Sequence, residues 1–232
     1  MRSPTLAEPF EPWYAGIRWT VFPFLRAWFD WRFERLEEIP PTGPVLIACN
    51  HASYLDPLVN AYAVVRAKRR PRFLAKDDLF RAFGIRWAMR GTRQIPVARG
   101  TGDQSPLRNA EAALRANQVV VVYPEGTVTR RSDGLPMEGK TGTVRLALAA
   151  GVPILPMVSW GSAPVWQKSG PGSLRPRRPI RVRVGDPFDV AARGASVDDH
   201  DAVRGLTDEL MAVLTAEVET LRAAYPPEWA SR

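Results

Sequence analysis

The chain has one cysteine and only two histidines in 232 residues, and this scarcity excludes several kinds of site. A single cysteine cannot form an internal disulfide, so nothing in the sequence requires an oxidising compartment. His51, His200 and Cys49 do not have the spacing of a zinc cluster. We therefore expect no metal ligands.

Long uninterrupted apolar runs are also missing. Residues 1–16 carry Glu8 and Glu11 and lack the apolar stretch of a cleaved signal peptide. The uncharged run from Leu146 to Gln167 is broken by glycines and prolines, so it is interpreted as a helix end, a turn and a buried strand. The sequence predicts one globular unit with appendages, no transmembrane helix and a cytoplasmic location.

The balance of charge is basic, with a net charge of +8. This excess indicates an anionic partner, either nucleic acid or a membrane surface, unless it is an ordinary basic surface. Aromatic and arginine residues are mixed in the opening stretch "WYAGIRWTVFPFLRAWFDWRFERLEE". Because Pro23 should kink or split any helix there, we predict two short amphipathic helices lying at a lipid interface. The alternative is a helix packed on its own domain through the same aromatics.

Beyond this N-terminal helical segment, assigned to residues 1–40, residues 41–232 are predicted to form one α/β domain. Apolar runs alternate with amphipathic ones, which is typical of an α/β sheet flanked by helices. The predicted strands are residues 45–49, 72–76, 94–98, 119–123, 153–160 and 178–185. The predicted helices are residues 56–66, 78–90, 105–117, 141–150 and 198–225. The sheet is expected to be mixed and largely parallel.

Three polar residues follow predicted strands: His51, Arg99 and Glu125. Sites in open α/β sheets form outside the carboxyl ends of the strands, so these three are expected to converge. If the strand ending at Ala98 were antiparallel to the others, Arg99 would lie at the opposite edge.

The stretch "CNHASYLDP" places His51 five residues before Asp56, which is also a candidate N-cap. A histidine held by an aspartate is a general base near neutral pH. No G-x-S-x-G motif is present, so the base would activate a substrate hydroxyl or a water rather than an enzyme serine. Cys49 is interpreted as a small buried hydrophobe, with a thiol nucleophile as the alternative.

The remaining candidates follow the strand at 119–123. Glu125, Gly126 and Thr127 could grip a polyhydroxy substrate, or form a turn with a solvated glutamate. Arg130, Arg131 and Lys140 could hold a phosphate with Arg99, or be ordinary surface charges.

Four motifs in order resemble those of the lysophospholipid acyltransferase family, which includes bacterial 1-acylglycerol-3-phosphate acyltransferases. N-H-x4-D is matched by Asn50, His51 and Asp56, and a glycine before an apolar strand ending in arginine by Gly91 and "QIPVAR". F-P-E-G-T-R-S is matched by "YPEGT", and V-P-I-x-P by residues 152–156. Val128 replaces the arginine that commonly follows E-G-T, which bears on the acceptor headgroup more than on the reaction.

The resemblance implies transfer of a fatty acyl group from a thioester, on coenzyme A or acyl carrier protein, to a lysophospholipid hydroxyl. It implies that His51 removes the hydroxyl proton and that Asp56 orients His51, with no metal or bound cofactor. The residues expected to bind the acceptor are Asn50, Arg99, Glu125, Gly126, Thr127, Arg130 and Lys140. Those expected to support the acyl chain are Val152, Pro153, Ile154 and Pro156.

The expected partners are membrane lipids, the lysophospholipid acceptor and the acyl donor, at the cytoplasmic face of the cell membrane, with peripheral or monotopic attachment and no nucleic acid. The leading function is synthesis of phosphatidic acid. The same chemistry on another lysolipid or a glycolipid, a lipid hydrolase using the His-Asp pair, and a catalytically silent lipid- or nucleic-acid-binding protein are the alternatives.

Overall fold

A seven-stranded sheet forms the centre of the molecule, in a computed structural model that describes residues 11–98, 105–167 and 170–230. Its strands are β1 (Asp30–Glu34), β2 (Val45–Cys49), β3 (Pro71–Lys76), β4 (Ile95–Val97), β5 (Val119–Val122), β6 (Ile154–Trp160) and β9 (Pro179–Val184). A separate two-residue pair comprises β7 (Trp166–Gln167) and β8 (Gly170–Pro171). The helices are α1 (Pro12–Trp28), α2 (Asp56–Arg66), α3 (Ile85–Gly91), α4 (Ser105–Arg115), α5 (Gly142–Ala150), α6 (His200–Ala223) and α7 (Pro227–Ala230).

The strand order is β1-β9-β6-β2-β5-β3-β4. Strands β6, β2, β5, β3 and β4 are parallel, whereas β9 is antiparallel to β6 and pairs in parallel with β1. The predicted mixed, largely parallel sheet is therefore confirmed. Because β4 is parallel to β3, its carboxyl end lies at the same edge as the ends of β2, β5 and β6. Arg99 itself lies outside the described residues.

The central strands are apolar because helices cover both faces of the sheet. In β2, Leu46 and Ala48 pack toward a cluster that includes α4, α5 and α6, whereas Val45, Ile47 and Cys49 pack toward α1 and α2. All five residues are buried. A strand buried on both faces does not alternate between polar and apolar residues, and this agrees with the continuous apolar run "VLIAC".

The sequence-based prediction of one helix over residues 78–90 is wrong. A 3-10 turn covers Asp77–Phe80, and α3 begins only at Ile85. Gly84 has φ +78°, in the left-handed region, and this residue interrupts the helical path. Phe83 is left 92% exposed beside this break.

The prediction of two N-terminal helices is also wrong, because α1 is one helix of 17 residues that contains Pro23. Phe22 and Leu25 are on the side of α1 that faces the sheet, and both are buried. This packing offsets the cost of about 3 kcal/mol that an internal proline adds to a helix. Residues 30–34, assigned from sequence to the helical segment, form the edge strand β1. In the described parts of the chain, no helix is long and apolar enough to cross a membrane.

A buried ion pair joins the start of α1 to the sheet. The Arg72 guanidinium, on β3, donates two hydrogen bonds to the Glu11 carboxylate and a third to the carbonyl of Thr92. Glu11 and Arg72 are both buried. The Tyr14 hydroxyl adds a bond to the carbonyl of Pro71. The first turn of α1 is thus fixed to the domain by polar contacts as well as by packing.

We expect Arg72→Leu to lower the free energy of unfolding by about 3 kcal/mol, because it leaves the Glu11 carboxylate buried without its main partner. Arg70, 3.7 Å from Glu11, should keep the loss from being larger. The double variant Arg72→Leu/Glu11→Leu should recover part of the stability. Urea unfolding of the three proteins measures this, and a double variant less stable than Arg72→Leu would contradict it.

Candidate active site

The loop between β2 and α2 brings His51 and Asp56 together. His51 Nδ1 lies 3.1 Å from Asp56 Oδ2, with the His51 side chain 13% exposed and Asp56 fully buried. Asp56 is the first residue of α2 rather than the predicted N-cap, a position held by Leu55. The aspartate accepts the Nδ1 proton, so Nε2 of His51 is the nitrogen that can take a proton from another molecule.

The Asp56 carboxylate has further partners that fix it. Its Oδ2 accepts hydrogen bonds of 2.7 Å from the backbone N–H groups of Ala52 and Ser53. Its Oδ1 accepts a bond of 2.5 Å from the Ser162 hydroxyl, which follows β6. The carboxylate therefore orients the histidine and also closes the turn.

Glu125 holds the backbone of His51 in place. One carboxylate oxygen accepts from the His51 backbone N–H at 2.9 Å, and the other accepts from the Met137 N–H at 3.0 Å. Burial raises the pKa of Glu125, against the opposing effect of these two bonds. Both oxygens are engaged by the protein, so the geometry assigns Glu125 to positioning; its contact with an acceptor remains a prediction.

The aromatic ring of Tyr123 stacks on the imidazole of His51, with centroids 4.1 Å apart and planes inclined by 22°. The Tyr123 hydroxyl accepts a hydrogen bond of 3.0 Å from the Asn60 side-chain amide. Burial raises the pKa of the Tyr123 phenol well above its ordinary value, so the group stays neutral. The stacked ring of Tyr123 limits the orientation of the His51 imidazole.

Asn50 joins β2 to β6 immediately before His51. Its side-chain amide donates to the Ser159 carbonyl at 3.0 Å, and its side-chain oxygen accepts from the Ser159 N–H at 2.9 Å. Buried and engaged in this way, Asn50 holds two strand ends together, and its expected acceptor contact stays a prediction. Cys49 is fully buried and burial raises the pKa of its thiol, which agrees with the hydrophobic interpretation.

The residues expected to hold a phosphate lie in two different parts of the structure. Gly126 has φ +68° in the turn after β5, and Lys140 lies over it, so that a Cβ on Gly126 would be 3.2 Å from Lys140 Nζ. Thr127, in the same turn, is half-buried. Arg130 is exposed and lines a cavity on the β6 side instead.

The residues expected to support the acyl chain lie at the start of β6. Ile154 is in register with Leu46, five residues before His51, which is a separation of about 16 Å along the strand. Val152, Ile154 and Pro156 are buried, and Pro153 is exposed. The structure does not bring these residues to His51, and their role with the acyl chain stays a prediction.

A cavity of about 580 Å³ borders Ala52, the residue that follows His51. It is bordered by Ala52, by the loop 129–134, by residues 160–164 after β6, and by the C-terminal residues Arg222, Tyr225 and Trp229. Thr129 in that loop donates its N–H to the His51 carbonyl at 2.7 Å. The residue after the oriented base therefore lies on the wall of a basic, partly aromatic cavity, which neither His51 nor Asp56 itself lines. In the described ranges, no three His, Cys, Asp or Glu side chains are grouped to hold a metal ion.

Comparison with known proteins gives the same family. A family model described as Acyltransferase matches residues 30–160, and the chain belongs to the acyltransferase family. Mouse 1-acyl-sn-glycerol-3-phosphate acyltransferase alpha is 31% identical over 78% of this chain and 62% of its own length. The Bacillus subtilis 1-acyl-sn-glycerol-3-phosphate acyltransferase is 25% identical over 54% of this chain and 60% of its own. The resemblance stated from the four motifs is thereby confirmed.

The fold has a solved counterpart in a 1-acyl-sn-glycerophosphate acyltransferase from Thermotoga maritima. The TM-score is 0.66 at 24% identity, over 92% of this chain and 79% of that one. The chain spans about half the length of the plant relatives it matches, such as 45% of the chloroplastic protein from Arabidopsis thaliana, and 62% of the mouse protein.

Sequence reasoning did not identify Ser162 or Arg222, and it gave Tyr123 no role beyond matching a motif. Tyr123 could have been found, because it ends the strand that precedes Glu125. Ser162 and Arg222 carry no local signal, since they reach the site only through the pairing of β6 and the packing of α6.

We expect the stability of the wild type relative to Glu125→Gln to fall as the pH rises. Because the pKa of Glu125 is raised in the folded protein, the folded state binds more protons than the unfolded chain between the ordinary and the raised pKa. The free energy of unfolding of the wild type minus that of the variant should thus be smaller at about pH 7 than at about pH 4. Urea unfolding at both pH values measures the difference, and a difference that grows with pH would refute this expectation.

Proposed function

We propose that this protein transfers a fatty acyl group from an acyl thioester to the free hydroxyl of 1-acylglycerol-3-phosphate, which gives phosphatidic acid. The observation that carries the proposal is the contact of His51 with a buried Asp56, with Ala52 of the same loop on the wall of a basic cavity. The names of the mouse and Bacillus subtilis relatives, both 1-acyl-sn-glycerol-3-phosphate acyltransferases, support this acceptor. The two candidate donors are acyl-coenzyme A and acyl carrier protein thioesters.

The reaction follows from the tautomer that Asp56 selects. His51 Nε2 accepts the proton of the acceptor hydroxyl while the hydroxyl oxygen attacks the thioester carbonyl carbon. The new carbon–oxygen bond forms and the carbon–sulfur bond breaks, after which the proton passes from His51 to the leaving thiolate. The charge of Asp56 stabilises the imidazolium that exists between these steps. No residue of the protein is acylated, in agreement with the buried, protonated Cys49.

Acyl transfer should be lost in His51→Ala and reduced by roughly 10³-fold or more in Asp56→Asn, because the amide selects the wrong tautomer of His51. The assay mixes the purified protein with lysophosphatidic acid and either acyl-coenzyme A or acyl carrier protein thioesters. Arg115→Gln, a change on the exposed end of α4, is the control. Free fatty acid as the only product, or full activity in His51→Ala, would exclude the proposal.

We also propose peripheral association with the cytoplasmic face of the cell membrane through α1 and the segment around α3. On α1, Trp19 is 77% exposed, and Trp13 and Phe24 are about half exposed, while the opposite side of the helix packs on the sheet. Around α3, Phe83, Ile85 and Trp87 are exposed. We call these six side chains the aromatic face.

The two parts of the aromatic face are in contact, because the Trp13 indole packs against Gly91 and a methyl group there would overlap it. Residues 12–28 and 79–93 contain arginines and no acidic residue. The Arg86 guanidinium lies over the rings of Phe83 and Trp87. Arginine and aromatic side chains without acids suit the anionic lipids of the cytoplasmic leaflet.

The double variant Trp19→Ser/Phe83→Ser should bind phosphatidylglycerol vesicles at least tenfold more weakly, because two large apolar side chains no longer enter the lipid. Leu174→Ser, which changes an exposed leucine outside the aromatic face, is the matched control. Cosedimentation with vesicles measures binding. Equal binding by the two variants would rule out this face.

A further inference from the structure

The cavity that borders Ala52 is lined on one side by the end of α6, and this placement brings a further arginine to its wall. Arg222 lies in the last turn of α6 and lines the cavity together with Arg130 and Arg131. The region matched by the family model ends at residue 160, so Arg222 lies well outside it.

The cavity touches the neighbours of both catalytic groups. Ala52, on its wall, donates its backbone N–H to Asp56. Gly161 and Ala163, also on the wall, flank the Ser162 that donates to the other oxygen of Asp56. A molecule at this wall of the cavity therefore lies against the backbone that holds the Asp56 carboxylate.

The arginines of the cavity differ in what they already bind. Arg131 forms two hydrogen bonds to the Asp133 carboxylate, of 2.9 and 2.6 Å. Arg131, and to a smaller extent Arg222, lower the pKa of Asp133 to about 2, so this aspartate stays charged at neutral pH. Arg130 and Arg222 have no carboxylate within ion-pair distance in the described parts of the chain. Three arginines against one aspartate leave two positive charges in excess.

The position of Arg222 is held by aromatic packing. Its guanidinium lies over the ring of Trp160, 5.8 Å from the centroid, at the point where β6 ends. An arginine stacked on an aromatic face keeps its N–H groups free to donate in the plane of the guanidinium. The planar fork suits the oxygens of a phosphate, and two excess charges suit a phosphate monoester.

The chemistry of the two substrates indicates whether the phosphate of the acceptor or those of acyl-coenzyme A would bind in the cavity. In 1-acylglycerol-3-phosphate, the reacting hydroxyl is on the carbon next to the one that bears the phosphate, so the phosphate must lie close to His51. In acyl-coenzyme A, the whole pantetheine arm separates the thioester from the phosphates. A basic cavity that borders Ala52 therefore matches the acceptor.

We propose that Arg222, with Arg130, binds the phosphate monoester of the acceptor and so makes α6 part of headgroup selection. This inference rests on the proposed acyl transfer. It predicts that a neutral acceptor, 1-monoacylglycerol, gains nothing from Arg222.

The test varies acceptor and donor separately in steady-state kinetics. Arg222→Gln should raise the KM for lysophosphatidic acid at least tenfold, as expected for loss of charge-assisted hydrogen bonds, and change the KM for the donor less than about twofold. Arg222→Lys should recover part of the lost acceptor affinity, since it keeps the positive charge but not the planar guanidinium. Arg115→Gln, also in the last turn of a helix and outside the cavity, should match the wild type.

Direct binding separates this inference from the proposed reaction. Titration calorimetry with octanoyl lysophosphatidic acid should show binding about tenfold weaker to Arg222→Gln than to the wild type, with monooctanoylglycerol binding equally to both. That result without any acyl transfer by the wild type would overturn the reaction and support the phosphate site. A change in the donor KM alone, or unchanged acceptor binding in a folded Arg222→Gln, would overturn the role of Arg222.

Discussion

The buried carboxylate of Asp56 is the group on which the site depends. It accepts hydrogen bonds from two backbone N–H groups of the loop after β2, from the His51 imidazole and from the Ser162 hydroxyl. One side chain thus closes a turn, orients a base and joins the loops that follow two neighbouring strands. A fully buried charge is costly without such partners, so the loop, the histidine and the β6 loop are stabilised together.

The parallel part of the sheet supplies the frame for this carboxylate. Because β2 lies between β5 and β6, the residues after these strands emerge at one edge, with Glu125 behind His51 and Ser162 beside Asp56. Asn50 ties β2 to β6 one residue before the site. Asn50, His51 and Asp56 are therefore held in place by hydrogen bonds that involve backbone groups.

The N-terminal helix α1 has one side packed on the domain and one side with exposed aromatic residues, two features that sequence reasoning treated as alternatives. One side of α1 is packed on the sheet through Phe22 and Leu25, and its first turn is fixed by the Glu11–Arg72 pair. The other side exposes Trp19 and Phe24. A helix with both features is part of the domain, and under the proposed membrane association its exposed aromatic side chains would hold the active site at a defined distance from lipid.

The local sequence determined the elements and the reacting pair. "VLIAC" predicts a strand buried on both faces, and the spacing of His51 and Asp56 across a turn predicts their contact, because each of these depends on neighbours within a few residues. Gly84 and Pro23 show where local reasoning failed. A positive φ at Gly84 ended a helix that looked continuous, and tertiary packing kept α1 intact where a proline predicted a break.

Only the tertiary structure decided which distant residues join the pair. In the folded protein, the Glu125 carboxylate binds backbone N–H groups, and the start of β6 lies in the core. Ser162 binds Asp56, and Arg222 lies on the cavity wall, although both come from late in the chain. The His51–Asp56 contact needs one short turn, which a sequence can encode locally. The basic cavity needs the pairing of β6 with β2, which joins residues more than 100 positions apart, and the packing of α6 on β6, which joins residues at least 40 positions apart.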